Sequence, residues 1–259
     1  MLRKAQMKSL LLIVISALSL AFLTTATGKE VVDPLDSPQW GVMHKLFLNS
    51  ERVVFDDKVK VFAPKFAEDS MNVPVSFDAS ELKDIQEIVV IADLNPIPLV
   101  LRYYPEEITP YLAFRIKLQQ GSPIRAAVKT GDNVWHVGST WVDAAGGGCT
   151  LPSIGTSTGD WSSTLGRVTA NIWKREDAPN RFRIKIMHPM DTGLAPGIPK
   201  FHIEQMTLSD KGGKQLARLE VFEPISENPM LSLAVDKHEY LKIHGRDNNG
   251  NVVDAEVVQ

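Results

Sequence analysis

The sequence contains only one cysteine, Cys149, among its 259 residues. One cysteine cannot close an internal disulfide, so the hydrophobic core must stabilise the folded chain. A lipoprotein is excluded as well, because lipid attachment needs a cysteine at the cleavage site of the leader. The six histidines include no closely spaced pair, so the chain lacks the ligand spacing of a metal site. The prediction is a protein without a metal or another cofactor.

The chain also lacks a strong net charge and a run long enough to span a membrane. Its formal net charge is -3, which argues against nucleic acid as a partner. The N-terminal apolar run, Leu10 to Leu23, has about 14 residues, fewer than the roughly 20 of a spanning helix. Basic residues precede the run and small residues follow it, as in a secretory signal. We predict a signal peptide over residues 1–28, with an uncleaved anchor as the alternative, and a periplasmic protein without stable membrane insertion.

The periodicity of the remaining chain favours strands. Apolar and polar residues alternate over 112–118 and over 181–186, as in half-buried strands, and turn sequences such as Asp247-Asn248-Asn249-Gly250-Asn251 separate such runs. One helix is predicted near Pro38 to Leu48. The prediction is an all-β protein with antiparallel β-sandwiches and a short N-terminal helix.

The strand pattern is interrupted over a long stretch in the middle of the chain. From Gly146 to Gly166 the sequence is rich in Gly, Ser and Thr, which is typical of a linker. We therefore predict two sandwich domains in tandem, residues 29–150 and 167–259, joined by a linker over residues 151–166.

Cys149 follows Gly146, Gly147 and Gly148 at the end of the first predicted domain. Three glycines predict a mobile arm that carries an exposed thiol away from the domain, because glycine adopts backbone angles closed to other residues. No histidine or lysine lies nearby in sequence to lower the pKa of the thiol, which suits a carrier better than an enzyme nucleophile. The alternative is a glycine-rich hinge with an incidental cysteine.

Two stretches of the chain resemble known families. The segment from Val59 to Cys149, with Asn95-Pro96-Ile97-Pro98 and the terminal Gly-Gly-Gly-Cys, is similar to SoxY, the sulfur-carrying subunit of bacterial thiosulfate oxidation. The segment from Arg167 onward, with His188-Pro189-Met190-Asp191-Thr192-Gly193, is similar to its partner SoxZ.

The resemblance implies a fused carrier with two immunoglobulin-like sandwiches that dock on each other, and with Cys149 as the residue that holds a covalent sulfur adduct. It also implies that the protein is not an enzyme and that periplasmic redox enzymes load and unload it. Single-chain versions of this pair are associated with quinoprotein alcohol dehydrogenases. One departure stands out: SoxY ends in a free Gly-Gly-Cys-Gly-Gly tail, whereas here Thr150-Leu151-Pro152 and a second domain follow the cysteine.

Other candidate sites are weaker. His188 and Met190, with His202, could bind copper, since imidazole and thioether suit that metal, but a turn and core packing are the expected roles. Glu106 and Glu107 are expected to be solvated. Gly155-Thr156-Ser157-Thr158-Gly159 has neither strand nor helix to make it a nucleophile elbow. Trp135, Trp141 and Trp173 are expected to fill the sandwich or the domain contact, with a surface patch that docks a redox enzyme as the alternative. A thiol-independent accessory protein of a quinoprotein dehydrogenase and a copper-handling protein remain as alternatives.

Overall fold

Strands form nearly half of the described chain, which in this computed structural model comprises residues 32–154 and 160–259. The strands are β1 (Val53–Phe55), β2 (Lys60–Phe62), β3 (Phe66–Ala67), β4 (Val73–Asp78), β5 (Ile85–Ala92), β6 (Leu99–Tyr104), β7 (Thr109–Ile116), β8 (Ser122–Thr130), β9 (Trp135–Ala144), β10 (Val168–Trp173), β11 (Arg181–Ile186), β12 (Ile203–Ser209), β13 (Gln215–Val221), β14 (Met230–Ala234), β15 (Tyr240–Asp247) and β16 (Val252–Val258). The predicted signal peptide and residues 155–159 lie outside the described residues.

The described helices include α1 (Trp40–Phe47), as the sequence predicted, and a short 3-10 helix, Asp160–Ser163. Within the described ranges, no helix is both long and apolar enough to cross a membrane.

The strands form two sheets. One has ten strands in the order β1-β9-β8-β5-β6-β13-β12-β15-β16, with β3 beside β9, and the other has six in the order β10-β11-β14-β7-β4-β2. Most neighbours are antiparallel, while β1 and β3 pair with β9 in parallel. The predicted all-β sandwich is confirmed.

The first half (residues 33–150) and the second half (residues 167–259) meet edge to edge in both sheets. Strand β6 pairs with β13, where Leu101 lies opposite Val221, and β7 pairs with β14, where Leu112 lies opposite Leu233. One hydrophobic core includes buried residues of both halves. Asp33–Gln259 therefore form a single compact unit.

Strand β11 shows how the predicted alternation produces this core. Phe182, Ile184 and Ile186 are buried between the sheets, whereas Arg183 and Lys185 point outward. Burying one such apolar side chain stabilises the fold by about 1.5–3 kcal/mol. The period-two pattern read from the sequence is confirmed in this strand.

Helix α1 covers the outer face of the ten-stranded sheet. Its buried residues Trp40 and Met43 belong to a second cluster with Trp135 of β9. Beneath Trp40, the buried guanidinium of Arg125 lies 4.5 Å from the ring centroid. That guanidinium is paired with the carboxylates of Asp33 and Asp93 at 2.8 and 2.9 Å, which fastens the segment before α1 to the sheet.

The tryptophans differ from the prediction. Trp135 is buried, but Trp141, on the same strand, is 38% exposed and Trp173 is 43% exposed. The indole of Trp141 donates to Asp143 at 2.6 Å at the surface instead of packing inside. The prediction that all three fill the sandwich or the domain contact is wrong for these two.

Candidate functional site

Cys149 is fully buried, with 0% of its surface exposed. It lies in the loop after β9, where its Sγ faces the carbonyl oxygen of Lys117 at 3.7 Å. The predicted exposed thiol is therefore wrong for this structure. The physical reason is that the loop folds back onto the chain just after β7, which supplies neighbours that are distant in sequence.

The glycines hold the loop close instead of making a free arm. Gly148 donates its N–H to the carbonyl of Leu118 at 3.1 Å, and Gly147 donates to that of Gln119 at 3.3 Å. A β-carbon on Gly148 would lie 2.1 Å from the carbonyl oxygen of Ser70, so only glycine fits there. Gly146 and Gly147 have φ of 103° and 83°, the left-handed region that favours glycine. In this conformation the three glycines allow close packing and a turn.

Polar side chains of the first half hold the N–H of Cys149 and the segment that its thiol faces. The side-chain carbonyl of Gln119 accepts the N–H of Cys149 at 3.2 Å. Asn95 in turn donates to the carbonyl of Lys117 at 2.8 Å and accepts the N–H of Gln119 at 2.9 Å. Asn95 begins the Asn-Pro motif found in the sequence, and its amide organises the segment against which the cysteine packs.

The second half covers the cysteine loop from the other side. Thr192 donates its hydroxyl to the carbonyl of Cys149 at 2.6 Å, and Asp191 accepts the N–H of Ser153 at 2.8 Å. Further along, a carboxylate oxygen of Glu227 accepts the N–H of Ile154 at 2.8 Å. The run from His188 to Gly193, quoted above for the second half, therefore lies against Cys149. The described start of the predicted linker is bound to the second half as well.

Lys117 was expected to point outward from its strand, but it is 2% exposed. Its ammonium donates to the carbonyl of Met190 and, at 3.4 Å, to that of Glu223. Burial lowers the pKa of this lysine to about 8, against the opposing effect of nearby acidic groups, with Asp191 first among them and Cys149 next. The side chain thus ties the cysteine segment of the first half to the second half.

The same surroundings make the thiol unreactive. Burial raises the pKa of Cys149 to about 11, because a thiolate would lose its hydration, and the charge of Lys117 only partly opposes this. Since the thiolate is the nucleophilic form, the thiol in this conformation is protected from reagents and oxidants.

Two of the three candidate copper ligands, His188 and Met190, contact protein groups, and the third, His202, contacts the carbonyl of Ile203 through Nδ1 at 2.9 Å. His188 accepts the N–H of Met190 at Nδ1 (3.0 Å) and lies 3.3 Å from Asp247 through Nε2. Burial lowers the pKa of His188 to about 4, with Asp247 opposing the effect. The sulfur of Met190 accepts the N–H of Ile203 at 3.3 Å. The described residues contain no group of three or more His, Cys, Asp or Glu placed to hold a metal ion.

The candidate glutamates Glu106 and Glu107 are bound to surface side chains. Glu106 accepts from Gln215 at 2.6 Å, and Glu107 pairs with Lys214 at 2.7 Å, both at the surface. The stretch from Gly155 to Gly159 lies outside the described residues.

Comparison with known proteins agrees with the division into two halves. Residues 43–149 match the family model of sulfur oxidation protein SoxY, and residues 170–258 match that of sulphur oxidation protein SoxZ. No curated protein matches the chain. Among solved structures, the chain is similar to that of the sulfur carrier protein SoxY from Chlorobium limicola f thiosulfatophilum. The identity is 18% and the TM-score 0.37, over 40% of this chain and 90% of that one.

The two family models cover about three quarters of the sequence, and the SoxY match ends on Cys149 itself. The chain belongs to the SoxY family in its first half and to the SoxZ family in its second half, and it is a SoxYZ-like fusion.

Proposed function

We propose that the protein carries a small sulfur species covalently on Cys149 and presents it to partner enzymes. With thiosulfate as the cargo, the thiol sulfur of Cys149 bonds to the terminal sulfur of the anion. The thiol loses its proton, and the two electrons released by this oxidation pass to the redox enzyme that loads the carrier. In this proposal the protein is a substrate of other enzymes and not a catalyst.

One observation carries the proposal: the only thiol of the chain lies at the end of the SoxY match, inside a loop that is held by hydrogen bonds and not by a packed strand. Gln119 and Thr192 each bind the backbone of Cys149 through one side chain. A hydrogen bond contributes about 0.5–1.5 kcal/mol to stability, so a few of them can be exchanged when a partner binds. The closed loop then protects the thiol between encounters, and the open loop exposes it.

The partners in this proposal are periplasmic redox enzymes that load and unload the thiol, including a quinoprotein dehydrogenase. The periplasmic location rests on the predicted signal peptide and on the family. Docking of the two halves keeps Cys149 covered, since Thr192 and Asp191 of the second half complete its surroundings.

The burial of Cys149 favours a second candidate function. Buried free cysteines are mostly inert small apolar residues. In that case the protein is a non-covalent accessory of a quinoprotein dehydrogenase, and the thiol is dispensable. A Cys149→Ser variant that keeps its fold separates the two, because only the carrier proposal expects complete loss of function.

The test is the intact mass of the protein, purified from its own periplasm without reductant, before and after treatment with dithiothreitol. We expect a reducible mass increment on the peptide that contains Cys149, and its size identifies the cargo. A bare thiol in all of the protein, under growth conditions that induce it, would contradict the carrier proposal and favour the accessory function.

A further inference from the structure

A groove of about 500 Å³ crosses the outer face of the six-stranded sheet. It runs from β2 across β4, β7 and β14 to β11, so it includes strands of both halves. Phe62 and Pro64 line one end of the groove. Met230 and the guanidinium-bearing side chains of Arg115 and Arg183 also line it. Phe62 is 56% exposed, which is unusual for a phenylalanine on a strand.

The cations of this face lack acidic partners. Among residues 32–154 and 160–259, no carboxylate forms an ion pair with Arg115, Arg183 or the neighbouring Lys185. Arg183 donates to the hydroxyl of Ser232 at 3.2 Å and contacts the ring of Trp173. These three positive charges lie on one face of a protein whose formal net charge is -3. This face therefore attracts anionic groups, although the protein as a whole is negatively charged.

A second cavity connects the groove to a residue that holds the chain after Cys149. A smaller cavity of about 250 Å³ shares Arg115 and Met230 with the groove and extends to Glu227. The carboxylate of Glu227 holds the N–H of Ile154, five residues after Cys149. A molecule bound in the groove that reaches into this cavity therefore lies next to Glu227, which holds the chain after Cys149.

We propose that the groove binds an extended, acidic segment of the protein that loads or unloads Cys149. The identity of that partner rests on the carrier function proposed above, whereas the chemistry of the segment rests on the groove alone. Neighbouring strands lie about 4.8 Å apart, so the four steps from β2 to β11 span about 19 Å, the length of about six extended residues.

The spacing of the lining residues specifies the segment further. Phe62 on β2 and Arg115 on β7 are two strands apart, and Arg115 and Arg183 on β11 are again two strands apart. Each separation is about 10 Å, which matches side chains three residues apart on a chain in the extended polyproline II conformation, where every third side chain points the same way. The expected segment has one apolar residue and two acidic residues at this spacing.

A synthetic peptide of this design tests the proposal: acetyl-Leu-Ser-Ser-Glu-Ser-Ser-Glu-amide. It is titrated to millimolar concentration into the mature chain, and amide chemical shifts report both affinity and position. We expect shifts in β7, β11 and β14. An Arg115→Gln/Arg183→Gln variant should bind about tenfold more weakly, equivalent to about 1.4 kcal/mol. The matched control, Lys242→Gln/Arg246→Gln on the other sheet, should bind as the unchanged protein does.

Three results of the peptide titration would overturn the proposal. They are the absence of shifts at millimolar peptide, equal affinity of the two double variants, and equal binding of a peptide with glutamine in place of glutamate. Preferential binding of phosphatidylglycerol vesicles through the same arginines would also overturn it and assign the face to a membrane. The Cys149→Ser variant should bind the peptide normally, so a failure of the carrier function and a failure of the groove are distinguishable.

Discussion

Cys149 should react with alkylating reagents far more slowly than an exposed cysteine, although it lies in a loop and not in a strand or helix. At pH 8, a thiol with a pKa of 9.0 is about one-tenth thiolate, whereas a pKa of about 11 leaves about one-thousandth. The difference predicts alkylation about a hundredfold slower than that of a cysteine in an unstructured peptide. Complete burial of the sulfur adds to this protection, since the reagent must wait for the loop to open.

Thr192→Val is the change that tests which contacts keep the loop closed. It removes the hydroxyl that donates to the carbonyl of Cys149 at 2.6 Å, in a site where Thr192 is itself buried. Loss of one such hydrogen bond costs about 1 kcal/mol, which raises the population of open loop, and hence the alkylation rate, about fivefold. Thr207→Val is the matched control, because its hydroxyl makes only an exposed bond of 3.3 Å to His244.

The assay follows the mass of the protein during reaction with iodoacetamide at pH 8, together with the free energy of unfolding in urea for each variant. A rate equal to that of a free cysteine would refute the buried site. Alkylation rates that differ between variants only as their free energies of unfolding predict would show that Cys149 is exposed by global unfolding. That result would refute a separately opening loop.

Three further predictions concern stability, each measured by urea unfolding. As the pH falls from 6.5 towards 4, His188 takes up a proton in the unfolded chain but not in the folded chain, because burial lowers its pKa to about 4. The free energy of unfolding should therefore drop by up to about 3 kcal/mol. His188→Gln should reduce this drop, whereas the control His244→Gln, at an exposed site, should not. Between pH 8 and 9 the folded chain releases the proton of Lys117, whose pKa is lowered to about 8, while the unfolded chain keeps it. The free energy of unfolding should therefore rise by about 1 kcal/mol. A Lys117→Met variant that still shows this rise would contradict its assignment to Lys117. Arg125→Met leaves two buried carboxylates unpaired and should cost about 3–5 kcal/mol, against about 1 kcal/mol for Arg102→Met at the partly exposed pair with Glu87.

The local alternation of apolar and polar residues was sufficient to predict strands of the sandwich. The alternation in β11 predicted which side chains face the core, because a strand buries every second residue whatever its neighbours are. The helix near Pro38 to Leu48 was found in the same way from one apolar face. Edge-to-edge pairing of β6 with β13 had no such local signal, since it joins residues more than 100 positions apart.

The candidate site was predictable in its residue but not in its surroundings. Cys149 was identified from the glycines before it, yet its burial depends on Lys117, Gln119 and Thr192, which are between 30 and 43 positions away. Lys117 fitted an outward position in the alternation, and nothing in its immediate neighbours indicated that a second-half loop would cover it. The signal that did exist was the unusual run beginning at His188, which turned out to lie against the cysteine.

Attachment of the loop at both ends changes what opening requires. A free tail can leave its site by breaking only the contacts of its own residues, whereas here the chain continues from Cys149 through Ser153 and Ile154, which Asp191 and Glu227 hold on the second half. Exposure of the thiol must therefore break bonds on both sides of it, or move the loop as a hinged unit. Glu227, the outer of these two attachments, lines the smaller cavity that shares Arg115 and Met230 with the groove. If the proposed partner binds there, we expect its binding to favour release of this attachment, and we expect a closed loop for the protein on its own.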